Sequence, residues 1–155
     1  LDMSECQDEM AVNKLIGSAP GYVGYGEGGQ LTEKVRHQQY SLILFDEIEK
    51  ANPQVFNALL QIMDDGRLTD AQGRTVSFMD TILIMTSNAG YSDKLLKNGK
   101  VDHEKLIKAL ETYFRPEFLN RLDAIVPFNS LTEKDMTKII DIYLKKMSDV
   151  LAKNL

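Results

Sequence analysis

Hydrophobic and polar positions along this chain follow two rhythms, and the rhythm sets the expected elements. Two unbroken apolar runs, Leu42-Ile43-Leu44-Phe45 and Ile82-Leu83-Ile84-Met85, are short and bounded by polar residues. Such runs predict strands buried on both faces, the kind found inside a parallel sheet. Leu1-Asp2-Met3 reads as the end of another strand, and Ala124 to Phe128 as a short strand broken by Pro127. Elsewhere the apolar spacing is helical. After Asn52-Pro53, a cap followed by a proline suited to the first helical turn, Val55, Phe56, Leu59, Leu60, Ile62 and Met63 form a broad stripe that reads as core rather than a cofactor box. Leu31 and Val35 predict a helix over 31–36, and Leu106, Ile107, Leu110, Tyr113 and Phe114 one over 103–114, broken by Pro116. Ser4 with Gln7 reads as a capping box for a first helix carrying Met10, Val12, Leu15 and Ile16. Thr132 with Asp135 caps the last helix, with Leu131 and Met136 as a staple. The apolar face of that helix, Met136, Ile139, Ile140, Tyr143, Met147 and Val150, has no partner left in the chain.

Three polar stretches interrupt these elements. Gly17, Gly21, Gly24, Gly26, Gly28 and Gly29 fall within one stretch with Pro20, which prevents regular structure. That stretch nevertheless carries Tyr22, Val23 and Tyr25. Two readings stand: a mobile paddle gripping an extended polypeptide, or aromatic side chains tucked into the core. Asp64 to Thr75, punctuated by Gly66 and Gly73, reads as a long loop or irregular hairpin; Arg67 and Arg74 on it could meet a substrate or a neighbouring subunit, or simply face solvent. Residues 91–102 read as loop.

Composition narrows the class. The chain has 155 residues and a 43% hydrophobic share, enough for one domain with a core. A net charge of −5 argues against a nucleic-acid surface. Cys6 is the only cysteine, which fits a reducing compartment, and no apolar run approaches the ~20 residues that span a bilayer. His37 and His103 stand isolated, so no Cys-His metal site is expected. The chain opens in what looks like a strand at Leu1, without an initiator Met, and reads as a piece of something larger.

The first apolar strand runs straight into Asp46 and Glu47. A buried strand ending in adjacent acids delivers them to the carboxyl edge of the sheet, where open α/β folds bind ligands. Neighbouring strand residues point to opposite faces, so one acid could hold Mg²⁺ through water while the other polarises an attacking water. This is the Walker B pattern of a P-loop NTPase. The second strand ends in Thr86-Ser87-Asn88; if the strands are parallel neighbours, Asn88 reaches the same edge, although Asn before Gly90 is also ordinary turn chemistry. In Arg115 to Asp123, Phe118 and Leu122 can anchor the segment while Arg121 projects, and a guanidinium is well suited to phosphate charge.

Taken in order, Asp2-Met3-Ser4-Glu5, Gly21-Tyr22-Val23-Gly24-Tyr25, Leu42 to Ala51, Asp65-Gly66-Arg67-Leu68-Thr69-Asp70, Thr86-Ser87-Asn88 and Phe114 to Asp123 resemble the second nucleotide-binding domain of Clp-type AAA+ unfoldases, and they span nearly the whole chain. The resemblance implies an α/β fold: a three-layer AAA+ P-loop NTPase core with a parallel sheet over 1–128, its N-terminal part missing, then the first helix of a helical lid over 129–155. It implies ATP and Mg²⁺ as cofactors, with Asp46 assisting the metal, Glu47 activating water, Asn88 as sensor 1 and Arg121 as an arginine finger reaching ATP on the adjacent subunit of a homo-hexamer; Arg115 is a second candidate finger. Tyr22 and Val23 resemble the pore-loop pair that moves substrate, which favours the paddle, and the segment from Arg67 to Arg74 resembles a second pore loop. The expected parent is a cytoplasmic, stress-related chaperone that threads unfolded or aggregated polypeptide, with neither nucleic acid nor membrane as partner. The alternatives are a regulatory ATPase feeding a Clp peptidase, or a non-catalytic peptide-binding or assembly fragment. No Gly-x-x-x-x-Gly-Lys-Ser/Thr loop occurs in these residues, so the chain alone is expected to be inactive; in the family that loop lies upstream, and the sensor 2 arginine downstream. Residues 90–101 contain no apolar-Gly-apolar tripeptide of the kind that docks on a peptidase ring, so that partner is not expected.

Overall fold

A computed structural model describes residues 1–18, 28–70, 72–90, 96–97, 100–129 and 131–153. In chain order the elements are α1 (Glu9–Ile16), α2 (Gln30–His37), β1 (Ser41–Phe45), α3 (Pro53–Asp65), β2 (Arg67–Thr69), β3 (Thr75–Ser77), β4 (Thr81–Met85), β5 (Leu96–Lys97), β6 (Lys100–Val101), α4 (His103–Leu110), α5 (Pro116–Leu119) and α6 (Glu133–Lys153). The two apolar runs pair in parallel, Leu42 opposite Ile82 and Leu44 opposite Ile84, so the α/β reading holds. Asp2 forms a parallel bridge with Asp46 on the other side of β1, so the chain start does contribute a strand end.

Burial follows one face rather than two. Ile43 and Phe45 point into the core with Met3, Ile48, Val55 and Leu59, whereas Leu42 and Ile82 are 60% and 63% exposed and Leu44 and Ile84 about as open as each other. This corrects the expectation of strands buried on both faces. Side chains alternate across a strand, and among the described residues no element covers the second face. An unbroken apolar run reports what a strand is made to contact, and each such side chain stands to gain about 1.5–3 kcal/mol on burial.

Several helix limits also shift. Asp2, not Ser4, is the first cap: its carboxylate accepts from the Ser4 N–H at 2.9 Å and closes a single 3₁₀ turn over Met3–Glu5, and α1 begins four residues later. Met10 is 70% exposed, while Val12 and Leu15 are buried. Asn52 caps α3 as expected, accepting from the Gln54 N–H at 2.9 Å. That helix ends at Gly66, whose φ of +64° suits a residue without Cβ and whose N–H reaches the Ile62 carbonyl. The hairpin alternative for 64–75 is the observed one, β2 pairing antiparallel with β3, although Asp64 and Asp65 belong to α3. β5 and β6 form a second small antiparallel pair inside the stretch expected to be loop.

Pro116 does more than break a helix. It occupies the first turn of α5, with Arg115 at the cap position. Phe118 is buried there and stacks edge-on against Phe56 of α3, centroids 5.1 Å apart, with Phe114 at 5.9 Å from Phe56. Ala124 to Phe128 is not a strand: among the described residues the segment has no ladder partner, and Val126 and Phe128 lie open. An extended segment satisfies its backbone groups only by pairing, so apolar content alone does not make it a strand. Thr132 and Asp135 form the reciprocal cap, Thr132 Oγ1 donating to Asp135 Oδ2 at 2.6 Å, and Met136, Ile140, Tyr143, Met147 and Val150 of α6 are open to solvent, with Ile139 half-buried.

Candidate functional site

The carboxyl ends of β1 and β4 are joined by one side chain that sequence reasoning did not single out. The Thr86 hydroxyl donates a very short hydrogen bond to Asp46 Oδ1 and accepts from the Glu47 N–H at 3.1 Å. The Thr86 carbonyl accepts from the Ile48 N–H at 3.0 Å, and its N–H reaches the Phe45 carbonyl at 2.9 Å. Parallel pairing carries both strand ends to one edge, and Thr86 then fixes where Asp46 points. The motif Thr-Ser-Asn was visible; only the register showed that its first residue faces the first acid.

Glu47 leaves the strand altogether. Its backbone is left-handed, φ 55° and ψ 50°, so the opposite-faces argument for the two acids does not apply to it. A non-glycine residue in that region costs about 1–3 kcal/mol and is characteristically found at functional sites. The turn aims the carboxylate at Lys50, whose Nζ lies 2.7 Å from Glu47 Oε2. That hydrogen bond raises the Lys50 pKa above its ordinary value, against the opposing pull of desolvation. Glu49 reaches across to β4's exit and accepts from the Asn88 N–H at 3.2 Å, which places Asn88 at the same edge as the acid pair. The other oxygen of Glu49, Oε2, is shielded and has no hydrogen-bond partner among the described residues.

Arg121 lies on the segment anchored by Phe118 and donates through Nε to Asp64 at the end of α3, a very short contact. The carboxylate raises the Arg121 pKa further. Both side chains remain about two-fifths exposed. Arg121 is therefore held by Asp64, not by Asp46 or Glu47, a residue that the sequence offered no reason to pair with it. Arg67 is exposed, whereas Arg74 is bound on two sides, by Asp70 and by Glu33 of α2. His37 is not isolated either, with Nε2 3.6 Å from Glu33. Tyr22 and Val23 lie outside the described residues. Cys6 is buried and unbridged, and burial pushes its thiol up. Among the described residues no three His, Cys, Asp or Glu side chains cluster as a metal site, and no helix is long and apolar enough to cross a membrane.

Asp70 gives the region a pH signature. Burial pushes its carboxyl up, but the backbone N–H groups of Arg74 and Gln72 and the Arg74 guanidinium outweigh that and hold it below the usual carboxylate range. A depressed pKa contributes stability that is present above the unfolded value of about 3.9 and lost as pH falls through the lower folded value. The melting temperature of the wild type should therefore exceed that of Asp70→Asn near neutrality, and the gap should close below about pH 4. A gap that stays constant into acid would show that the carboxylate's charge is not what matters.

A parallel strand pair flanked by helices, with an acid pair and a polar Thr-Ser-Asn exit at one carboxyl edge, defines an α/β protein of the P-loop NTPase kind. The family described as AAA domain (Cdc48 subfamily) matches residues 1–125, and the chain belongs to this AAA family, in its Clp-type AAA+ group. It is 54% identical over 98% of its length to the ATP-dependent Clp protease ATP-binding subunit ClpE of Bacillus subtilis, of which it covers 23%. It is 56% identical over 96% of its length to the chaperone protein ClpB of Clostridium tetani, covering 18% of that protein. Among solved structures, it matches an S. cerevisiae Hsp104:casein complex with a TM-score of 0.80 and 44% identity, over 96% of this chain and 26% of that one. A closed-state reconstruction of Hsp104 with ATPγS and FITC casein matches equally well. The chain thus spans about a fifth to a quarter of the length of these relatives.

Proposed function

We propose that this chain is the Walker B to arginine-finger portion of an ATP-driven protein unfoldase or disaggregase, working as a homo-hexamer in the cytoplasm. The observation that carries the reading is the shared edge where Thr86 binds Asp46, the Glu47 N–H binds Thr86, and Asn88 binds Glu49. Asp46 and the Thr86 hydroxyl offer the hard oxygen donors that Mg²⁺ takes beside nucleotide phosphates; they are too few to hold the ion alone, which fits a site completed by nucleotide and water. When bound, Mg²⁺ would neutralise phosphate charge. Glu47 serves as the base for the attacking water and Asn88 positions it, while Arg121 acts on the nucleotide of a neighbouring subunit. Residues 1–128 form part of the large subdomain and 129–155 begin the helical one, in line with the exposed apolar face of α6. The names of the relatives, a chaperone and an Hsp104 bound to casein, support polypeptide as substrate.

The substrate reading places Tyr22 and Val23 at the gripping tip, with Arg67 beside the path. Tyr22→Ala in the assembled protein should leave ATP hydrolysis in place and abolish unfolding of a model substrate. Simultaneous loss of both activities would return Tyr22 to the core. Because one relative is named as a protease subunit, the peptidase-feeding alternative stays in view; the lack of an apolar-Gly-apolar tripeptide between 90 and 101 favours a stand-alone disaggregase.

A further inference from the structure

Arg74 of the β2–β3 hairpin and Glu33 of α2 are 41 residues apart in sequence, yet Nη2 lies 2.5 Å from Glu33 Oε1. The same guanidinium is gripped by Asp70, whose Oδ2 accepts from Arg74 Nε at 2.7 Å and whose Oδ1 accepts from the Gln72 and Arg74 N–H groups at 2.9 and 2.8 Å. The Asp70 side chain is 1% exposed, so this is a built joint rather than a solvated pair. Glu33 in turn bears on the residue where the glycine-rich stretch rejoins the fold. Gly28 has φ +71°, and a Cβ there would fall 2.6 Å from Glu33 Cγ and Oε1. At Gly29 a Cβ would fall 2.2 Å from the Leu15 carbonyl oxygen of α1, and the Gly29 carbonyl accepts from the Glu33 N–H at 2.8 Å and from the buried Thr32 hydroxyl at 3.2 Å. The root of the Tyr22 stretch is thus wedged between α1 and Glu33, and Glu33 is tied to the hairpin.

We infer that Asp70, Arg74 and Glu33 form a tie that fixes the hairpin relative to the root of the Tyr22 stretch, with Arg74 a positioning residue rather than a substrate contact. A planar guanidinium can hold two carboxylates in set directions at once, which a lysine ammonium on a flexible stem does not reproduce. The Glu33 oxygen turned away from the hairpin, Oε2, is held by Arg36 at 2.6 Å, so the carboxylate keeps a counter-charge on its own helix when Arg74 is removed. The consequence for substrate handling rests on the gripping role given to Tyr22; the tie itself does not.

Amide hydrogen exchange on the 155-residue chain tests it, comparing wild type with Arg74→Lys, Arg74→Ala and Glu33→Gln. Both Arg74 variants should speed exchange at residues 28–33 roughly two- to fivefold, and Glu33→Gln should do the same at 67–77, the size expected for a partly exposed ion pair. Arg74→Lys separates the readings, because a charge that only meets substrate survives that change. Exchange altered only in the mutated element, or Arg74→Lys matching wild type at 28–33, would overturn the tie. If Arg74→Ala fails to fold, the lysine and glutamine variants still give the answer. If instead Tyr22→Ala leaves unfolding of substrate intact, the gripping role is lost while the exchange result stands.

Discussion

Glu47→Gln should leave nucleotide binding intact in the proposed ATPase assembly and lower kcat by about 10²–10⁴-fold, the usual contribution of a positioned general base. The amide keeps the size of the side chain and its hydrogen-bonding reach toward Lys50, 2.7 Å away. It occupies the same left-handed turn as glutamate, so the backbone strain at φ 55° and the fold's stability stay nearly unchanged. What disappears is the carboxylate proposed to act as the base. Single-turnover hydrolysis with saturating ATP measures the chemical step directly. A kcat within twofold of wild type would remove Glu47 from the mechanism and leave Asp46 as the acid to examine.

Arg121→Ala should have the other large effect, a fall in turnover of about 10³–10⁵-fold, because an arginine finger neutralises charge that develops on the transferring phosphate. The structure makes this prediction sharper than the sequence could. Arg121 is paired with Asp64, but both side chains are about two-fifths exposed, and such solvent-screened pairs contribute little to stability. Losing Arg121 should therefore barely move the melting temperature while hydrolysis collapses. Arg121→Lys should not restore activity, since an ammonium cannot make the bidentate contact. Mixed with wild-type subunits, the alanine variant should lower activity more than dilution does if, as proposed, the finger acts on a neighbour's nucleotide. Activity that falls only in proportion to dilution would place the role of Arg121 within its own subunit.

The elements legible in advance share a property: their signal is local. Asn52-Pro53 caps a helix whatever surrounds it, and Thr132 with Asp135 closes a turn from residues three apart. The two apolar runs, each followed by polar exits, place Asp46 and Asn88 at one edge if the strands are parallel neighbours, and the register shows that they are. Failures occurred where an outcome depends on a distant partner. Ala124 to Phe128 has strand-like composition but, among the described residues, no ladder to join. Leu42 and Ile82 are apolar but face an uncovered side of the sheet.

By itself, then, the order of residues determined the α/β class, the parallel strand pair, the caps at Asn52 and Thr132 and the residue types available at the candidate site. Tertiary structure alone decided which of those side chains meet. The Thr86 side chain reaches Asp46 across 40 residues, Arg74 reaches Glu33 across 41 and Arg121 reaches Asp64 across 57, while Glu49 takes the Asn88 backbone N–H across 39. Propensity and periodicity act over a few residues of backbone, so they can say that an arginine is present and exposed. Which carboxylate it faces depends on how strands register and helices pack, and hydrogen bonds with an optimum near 3 Å are sensitive to that arrangement at a scale no local pattern specifies.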